Sequence, residues 1–242
     1  MKKVLITGGT GSIGQSLVRR FVTDGYEVTF QFSSKDGEAK KLSVEIGAIP
    51  LKLDFRKNVT LEDNEFDVLV NSAGINKTSE LSGDVTYADW FETMQVNLTA
   101  PFQLIQQCLP HMCSNKWGRI ININSIYGLI VVEQNLPYNV SKHGLTALTK
   151  TIAREYARFN ITSNEICPGP VESELMLSIA RREGGSTNEE ISRYFSEVKL
   201  EIPAGRLALP EDISNLTSFL ATKEAGYLNG VSIRMDGGMV PW

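Results

Sequence analysis

The chain has few of the residues that would build a metal centre or a disulfide framework. Its three cysteines, Cys108, Cys113 and Cys167, are an odd number with no metal-type spacing and no Cys-x-x-Cys pair. Such a set is typical of reduced, buried thiols in a cytosolic protein. We therefore predict no metal site and expect a cytoplasmic location.

Long apolar runs and blocks of positive charge are also missing. Only Val4, Leu5 and Ile6 precede the first glycines, which is too short for a signal-peptide core, and no run approaches membrane-spanning length. The net charge is −4 and no basic block occurs, so we expect neither a nucleic-acid nor a membrane partner. With 42% hydrophobic residues, the 242 residues hold enough apolar material for a sizeable core.

The first motif that is present is a glycine-rich turn between a predicted strand and a predicted helix. Lys3–Thr7 is a short β-branched run, and an amphipathic segment begins at Gln15. Residues without side chains let the backbone approach a pyrophosphate, and a helix N-terminus presents unpaired N–H groups to it. The pattern therefore predicts dinucleotide binding by Gly8, Thr10, Gly11, Ser12, Ile13 and Gly14.

The residues after the second predicted strand bear on the choice between NAD and NADP. An acidic side chain at the end of that strand would accept hydrogen bonds from the ribose of NAD and repel the 2′-phosphate of NADP. Phe32 stands there instead, followed by Ser33, Ser34 and Lys35. Neutral donors and a cation favour a phosphate, so we predict NADP. NAD remains the alternative, because Asp36 is close by.

The rest of the chain alternates predicted strands and helices, without repeats or a linker. One long predicted helix, from Tyr87 to about Cys113, carries Asn97 in its middle, and later strands end at Ser125 and before Pro168. Seven such strands predict one α/β domain over residues 1–242, a Rossmann-type doubly wound parallel sheet with helices on both faces. Residues 171–201 are helical in pattern but broken by glycines, which predicts a mobile substrate lobe at about 170–201.

A phenol and an amine stand four residues apart in Tyr138-Asn139-Val140-Ser141-Lys142. On a helix these positions share one face. An ammonium about 4 Å from a phenol, at an effective dielectric of about 20, stabilises the phenolate by about 4 kcal/mol, or about three pKa units. We therefore predict a Tyr138 pKa near ~7 instead of ~10, which suits proton transfer at neutral pH.

Taken together, these motifs resemble those of the short-chain dehydrogenase/reductase family in its compact branch. The resemblance covers nearly the whole chain, and the pattern is specific because all the motifs occur in the family's order and spacing. It rests on the glycine turn, Asn71-Ser72-Ala73-Gly74, Asn97, Ser125, Tyr138-x-x-x-Lys142 and Pro168-Gly169.

The resemblance implies a role for each of four catalytic positions. Tyr138 would give a proton to a substrate carbonyl during reduction, and Ser125 would orient that carbonyl. Lys142 would lower the pKa of Tyr138 and bind the nicotinamide ribose, while Asn97 would hold a water that leads to Lys142. Further cofactor contacts are expected at Asp54, Phe55, Asn71, Ala73, Gly74, Pro168, Gly169, Val171 and Ser173.

Two departures from the family pattern affect the cofactor contacts. Ser12 stands where the compact branch usually has its middle glycine, so the backbone path at the pyrophosphate is open to change. Gly11 stands where that branch often has a basic residue, which weakens the case for NADP.

The substrate is less well defined by the sequence. Ile202-Pro203-Ala204-Gly205-Arg206 and the ending at Asp236-Gly237-Gly238-Met239 are similar to 3-oxoacyl-[acyl-carrier-protein] reductases, which favours a 3-oxoacyl thioester or related ketone. The lobe is longer than in those reductases, so dehydrogenation of a small hydroxy acid, a sugar or another alcohol is the alternative. A non-catalytic NADP-binding sensor or scaffold is a remote one. Members of this family usually form homotetramers or, less often, homodimers, so the resemblance implies one of these assemblies.

Overall fold

The computed structural model describes residues 1–57, 59–77 and 80–240. Seven parallel strands form one sheet in the order β3-β2-β1-β4-β5-β6-β7. The strands are β1 (Lys3–Ile6), β2 (Glu27–Phe32), β3 (Ile49–Lys52), β4 (Val68–Asn71), β5 (Gly118–Ile123), β6 (Ile161–Pro168) and β7 (Ser232–Met235). The predicted Rossmann-type sheet of seven strands is confirmed.

Eight α-helices connect or flank these strands in the described part of the chain. They are α1 (Ser12–Thr23), α2 (Asp36–Ile46), α3 (Tyr87–Met94), α4 (Ala100–Ser114), α5 (Leu136–Tyr156), α6 (Glu174–Glu183), α7 (Asn188–Glu201) and α8 (Pro210–Leu220). None of the helices in the described ranges is long and apolar enough to cross a bilayer.

The helices cover both faces of the sheet, and the alternation of strand side chains shows how. Val4 and Ile6 of β1 belong to an apolar cluster with α1, α2 and α8, whereas Leu5 belongs to a second cluster with α4 and α5. This period of two follows from the pleat of the strand. Because both faces are buried at the centre of the sheet, β1 and β4 read as continuous apolar runs.

From β1 the chain builds the sheet outward to β2 and β3 on one side and later to β4 through β7 on the other, so the direction of the crossovers reverses at β1. This reversal determines where the site lies. β1 pairs with β2 on one side and with β4 on the other, with Ile6 in register with both Phe30 and Val70. In an open parallel sheet, the loops at the carboxyl ends diverge at such a point and leave a crevice. The glycine turn after β1 and the loop after β4 therefore border one cleft.

The helical stretch predicted from Tyr87 to about Cys113 is present, with a change of geometry in its middle. Residues Gln95–Thr99 form a turn of π-helix between α3 and α4. A π-turn contains one extra residue per hydrogen-bonded ring, and such turns are common at functional sites. Asn97 lies in this turn, so the predicted helical stretch is continuous but changes from α to π geometry at the residue singled out as functional.

The segment predicted as a lobe consists of α6 and α7. Ser173 caps α6 by accepting a hydrogen bond from the Met176 N–H, and Thr187 with Glu190 forms a capping box at the start of α7. The glycines predicted as a break separate the two helices. Only Met176 and Ala180 of α6 are buried, and no residue of α7 is. Mobility of the lobe and the single-domain boundary stay predictions.

Candidate active site

The glycine turn after β1 is shaped by contacts that exclude side chains. Gly8 has φ +68°, in the left-handed region, and its N–H donates to the Gln31 side chain at 2.9 Å. A Cβ on Gly14 would lie 2.0 Å from the Gly8 carbonyl oxygen. Steric exclusion of this size requires glycine and holds the turn against the first turn of α1. The cradle therefore fits a dinucleotide pyrophosphate.

The predicted cofactor residues line a groove of about 500 Å³ above this turn. Its volume is in the range of small-molecule sites. The predicted residues that line the groove are Gly8, Thr10, Gly11, Ser12, Ile13, Gly14, Ser33, Ser34, Lys35, Asp54, Phe55, Ala73, Gly74 and Ser173. Ser12 is the first residue of α1, and its hydroxyl accepts a hydrogen bond from the Glu174 N–H at 3.2 Å.

Two charged residues at the adenosine end of the groove are already paired. The Lys35 ammonium contacts the carboxylates of Glu174 and Glu38. Asp54 is bound by Arg56, whose side chain donates to both carboxylate oxygens at 2.8 and 2.9 Å. The hydrogen bond from Arg56 is the main reason that the pKa of Asp54 is lowered. Binding of a 2′-phosphate by Lys35 would compete with Glu174.

Asn71 and Asn97 are the predicted site residues that line neither this groove nor the adjoining cavity. The Asn71 amide donates to Asn122 inside the helix-sheet layer at 2.8 Å. Asn97 exchanges two hydrogen bonds of 2.9 Å with the backbone of Ile75 and donates to Ser141 at 3.1 Å. Asn97 thus ties the loop after β4 to α5, and its role in holding a water stays a prediction.

The other predicted residues meet in a cavity of about 730 Å³ next to the groove. Ser125, Tyr138 and Lys142 line it, with Pro168, Gly169 and Val171 on the opposite side. The two cavities share Ile13, Ser72, Gly74, Ser173 and Leu175, so they are adjacent parts of one cleft.

The side chains predicted to be catalytic are positioned by the ends of β5 and α5. Tyr138 lies in the first turn of α5, which has Pro137 near its start, and Lys142 follows one turn later. The Lys142 ammonium donates to the Ile123 carbonyl at 3.1 Å and lies 5.5 Å from the centroid of the Tyr138 ring. Ser125, two residues after Ile123, shares a side-chain hydrogen bond with Tyr138.

The structure contradicts the predicted direction of the Tyr138 pKa. Burial raises the pKa of Tyr138 to about 12, and the hydrogen bond with Ser125 offsets this only in part. Burial also lowers the pKa of Lys142 to about 8. The prediction is wrong because it counted the attraction between the two groups and omitted the cost of burying each charge. Tyr138 is therefore a neutral phenol in this state, the form that can donate a proton.

Several residues that shape the cleft were missed in the sequence analysis. Gln31 is buried and links the glycine turn to the end of β3, because it also donates to the Leu53 carbonyl at 2.5 Å. Polar lobe and loop residues line the cavity as well: Asn76, Gln134, Asn135, Arg182, Glu183, Tyr194 and Glu201. These cavity residues belong to no spaced motif, so the sequence gives no sign of their place in the cleft. Gln31 differs, because a polar residue inside a mostly apolar strand indicates a buried hydrogen bond.

A dinucleotide groove that opens onto a serine, a buried tyrosine and a buried lysine defines a nicotinamide-dependent oxidoreductase. Residues 8–240 match the family model described as Enoyl-(Acyl carrier protein) reductase. The chain belongs to the short-chain dehydrogenase/reductase family.

Relatives in that family act on related groups. The 3-oxoacyl-[acyl-carrier-protein] reductase FabG of Aquifex aeolicus is 30% identical over 252 residues, covering 98% of this chain and 97% of the relative. The D-beta-hydroxybutyrate dehydrogenase of Cupriavidus necator is also 30% identical, covering 99% of this chain and 98% of the relative. The expected activity on CH–OH and C=O groups is thereby confirmed at the level of the family.

Solved structures share the fold. Actinorhodin polyketide ketoreductase, determined with NADPH, superimposes with a TM-score of 0.91 at 26% identity, covering 100% of this chain and 98% of that chain. The aldohexose dehydrogenase of Thermoplasma acidophilum, in ligand-free form, superimposes with a TM-score of 0.88 at 27% identity, covering 98% of this chain and 93% of that chain.

Proposed function

We propose that this chain is an NADP(H)-dependent reductase that converts the ketone of a 3-oxoacyl thioester, or a related ketone, to a secondary alcohol. The observation that carries the proposal is the meeting of Ser125, Tyr138 and Lys142 in a cavity that adjoins the dinucleotide groove. The similarity to a 3-oxoacyl reductase supports the substrate class, and the NADPH-bound ketoreductase neighbour supports NADP.

The groove residues fit the cofactor. The turn from Gly8 to Gly14 would hold the pyrophosphate, Ser33 to Lys35 the adenosine ribose and its phosphate, and Val171 with Ser173 the nicotinamide side. When bound, the nicotinamide supplies the hydride for reduction and accepts it in oxidation.

The chain's own residues manage the proton. Ser125 orients the substrate carbonyl, and Tyr138, a neutral phenol with its pKa raised to about 12, gives its proton to the carbonyl oxygen. Lys142 places a cation behind the phenol, which stabilises the phenolate formed as the proton leaves. The Lys142 pKa of about 8 leaves the ammonium form predominant at neutral pH.

A second candidate is the dehydrogenation of a hydroxy acid or a sugar. One observation favours it, because polar groups line the cavity beside its apolar residues: two amides at Asn76 and Asn135, a guanidinium at Arg182 and a phenol at Tyr194. Such groups pair with hydroxyls or a carboxylate more readily than with an acyl chain. The aldohexose and hydroxybutyrate dehydrogenases among the similar proteins are consistent with this alternative.

A cofactor-linked absorbance screen would decide between the candidates. Purified protein would be offered 3-oxoacyl thioesters, simple ketones, hydroxy acids and aldohexoses, with NADPH or NADP and, separately, with NADH or NAD. We expect NADPH oxidation with a 3-oxoacyl thioester. Faster turnover of a sugar or hydroxy acid would select the second candidate. Tight NADPH binding without turnover of any substrate would contradict both and support a non-catalytic sensor.

We also propose a homotetramer or homodimer assembled through α3 to α5. Tyr87, Phe91 and Phe102 on α3 and α4 are exposed by 79%, 53% and 46% in the single chain. Exposed aromatic side chains are enriched in subunit interfaces. Sedimentation equilibrium would show a dimer or a tetramer, and a concentration-independent monomer would contradict the proposal.

A further inference from the structure

One buried carboxylate in this fold has no part in the chemistry described above. Glu165 lies on β6 and is 0% exposed. One of its oxygens accepts a hydrogen bond from Asn124 at 2.6 Å, and the other accepts one from Ser232 on β7 at 2.5 Å. Burying a carboxylate among neutral groups is costly, so its position needs an explanation.

Hydrogen bonds connect Glu165 to the catalytic residues. The Asn124 amide that donates to Glu165 also contacts the Lys142 carbonyl at 3.2 Å and the Thr146 hydroxyl at 2.9 Å. Asn124 stands between Ile123, whose carbonyl binds the Lys142 ammonium, and the catalytic Ser125. Through the Asn124 side chain, Glu165 is therefore connected to the Lys142 carbonyl and to the segment that ends at Ser125.

The groups that surround Lys142, in the layer between the sheet and α5, also connect it with Glu165. Burial lowers the pKa of Lys142, whereas the neighbouring Cys167 and Glu165 raise it. Burial also raises the pKa of the Cys167 thiol far above neutral, so this thiol carries no charge at neutral pH. Of these two neighbours, Glu165 is therefore the one that can favour the ammonium form of Lys142.

Other titratable groups of this region are accounted for. Tyr138 on α5 and Tyr127 after β5 both have pKa values raised chiefly by burial, so both are neutral phenols. On β7, Arg234 is in register with Cys167, and its guanidinium donates to the Val240 carbonyl. None of these groups supplies a negative charge for Lys142.

We propose that Glu165 is a positioning residue: its buried side chain holds Asn124, which in turn holds the backbone of Lys142, and its carboxylate favours the ammonium form of Lys142. This inference rests on the proposed function, since Lys142 matters only where Tyr138 transfers a proton. The expected consequence is a pH range of activity that depends on a residue with no contact to the substrate.

Glu165→Gln tests the charge with little change in shape. A glutamine can accept from Asn124 through its oxygen and donate to the Ser232 hydroxyl through its nitrogen, so these two hydrogen bonds can be kept. Without the carboxylate, the Lys142 pKa falls further below about 8. We expect the alkaline limb of kcat/KM against pH to move about one unit to lower pH, with activity at pH 6 within about threefold of wild type.

Ser232→Ala is the matched control, because it removes a hydrogen bond to Glu165 and keeps the charge. Its alkaline limb should coincide with that of wild type. The double variant Asn124→Asp with Glu165→Gln returns a carboxylate to the neighbouring position. Its alkaline limb should move back toward the pH of the wild-type limb. A limb unchanged in Glu165→Gln, or shifted equally in Ser232→Ala, would overturn the proposal.

A measurement on the wild-type protein does not depend on turnover or on folding of the glutamine variant. The ¹³C resonance of the Glu165 carboxyl, assigned through Glu165→Asp, should be that of an ionised carboxylate at pH 7. A protonated carboxyl would overturn the proposal. If no substrate is turned over, the proposed function fails, and this spectrum still decides whether Glu165 carries the buried charge.

Discussion

The two walls of the cavity are built differently. The wall from β5 and α5 is buried, with Ser125, Tyr138 and Lys142 exposed by 8%, 9% and 3%. The opposite wall from α6 and α7 has two buried residues in α6 and none in α7. The first wall gains its order from the sheet, whereas the second depends on caps and a few polar contacts. In the proposed function, the buried wall, which we call the rigid wall, carries the chemistry, and the exposed wall selects the substrate.

The largest effect is expected from Tyr138→Phe, which removes the proton donor from the rigid wall. The kcat should fall by about 10³-fold, because no other donor replaces the phenol. Affinity for NADPH, measured by fluorescence, should stay within about threefold, since removing the hydroxyl leaves the groove residues in place.

Tyr127→Phe is the control, because Tyr127 lines the same cavity and packs edge-on against Tyr138 with ring centroids 6.3 Å apart. Its kcat should change far less. Equal rates for wild type and Tyr138→Phe would remove Tyr138 from the mechanism.

The next effect concerns the cradle at the base of the groove. Gly14→Ala places a Cβ 2.0 Å from the Gly8 carbonyl oxygen, so we expect a loss of about 3 kcal/mol in the free energy of unfolding. NADPH binding should weaken with it, as measured by fluorescence titration.

Gly37→Ala is the matched variant, because its Cβ would have no atom within 4 Å and the residue lies in the first turn of α2. This change should stabilise the protein by about 0.5–1 kcal/mol in urea unfolding. Equal stability of the two variants would contradict the steric explanation.

A pH effect should follow from the charge buried in the rigid wall. The Lys142 pKa is lowered by burial to about 8, so the ammonium is lost as pH rises through that value. We expect kcat/KM for reduction to be flat below about pH 7 and to fall by about tenfold per unit well above pH 8. A pH–rate profile with NADPH checks this, with unfolding followed at each pH. A profile flat to pH 10 would contradict it.

The smallest effect is expected in the exposed wall. Tyr194→Phe removes the hydrogen bond of 2.9 Å to Glu183 that joins α7 to α6. One such bond is worth about 1 kcal/mol, so KM should rise by about fivefold while kcat changes little. Tyr26→Phe, which loses a bond to the Ala221 carbonyl far from the cleft, should leave KM unchanged. A kcat loss in Tyr194→Phe as large as the KM change would place Tyr194 in the rigid wall's chemistry.

The sequence by itself determined the sheet, the glycine turn and the Tyr138–Lys142 pair. Strand burial, glycine at φ +68° and the i to i+4 spacing are local requirements, which a local pattern can reveal. Tertiary structure alone decided the π-turn at Asn97, the pairing of Lys35 with Glu174, the Tyr138 pKa and the position of Glu165 behind Lys142. Each of these depends on what lies opposite a residue in space, and burial by distant strands and helices sets the energy of a charge more strongly than its neighbours in the chain do.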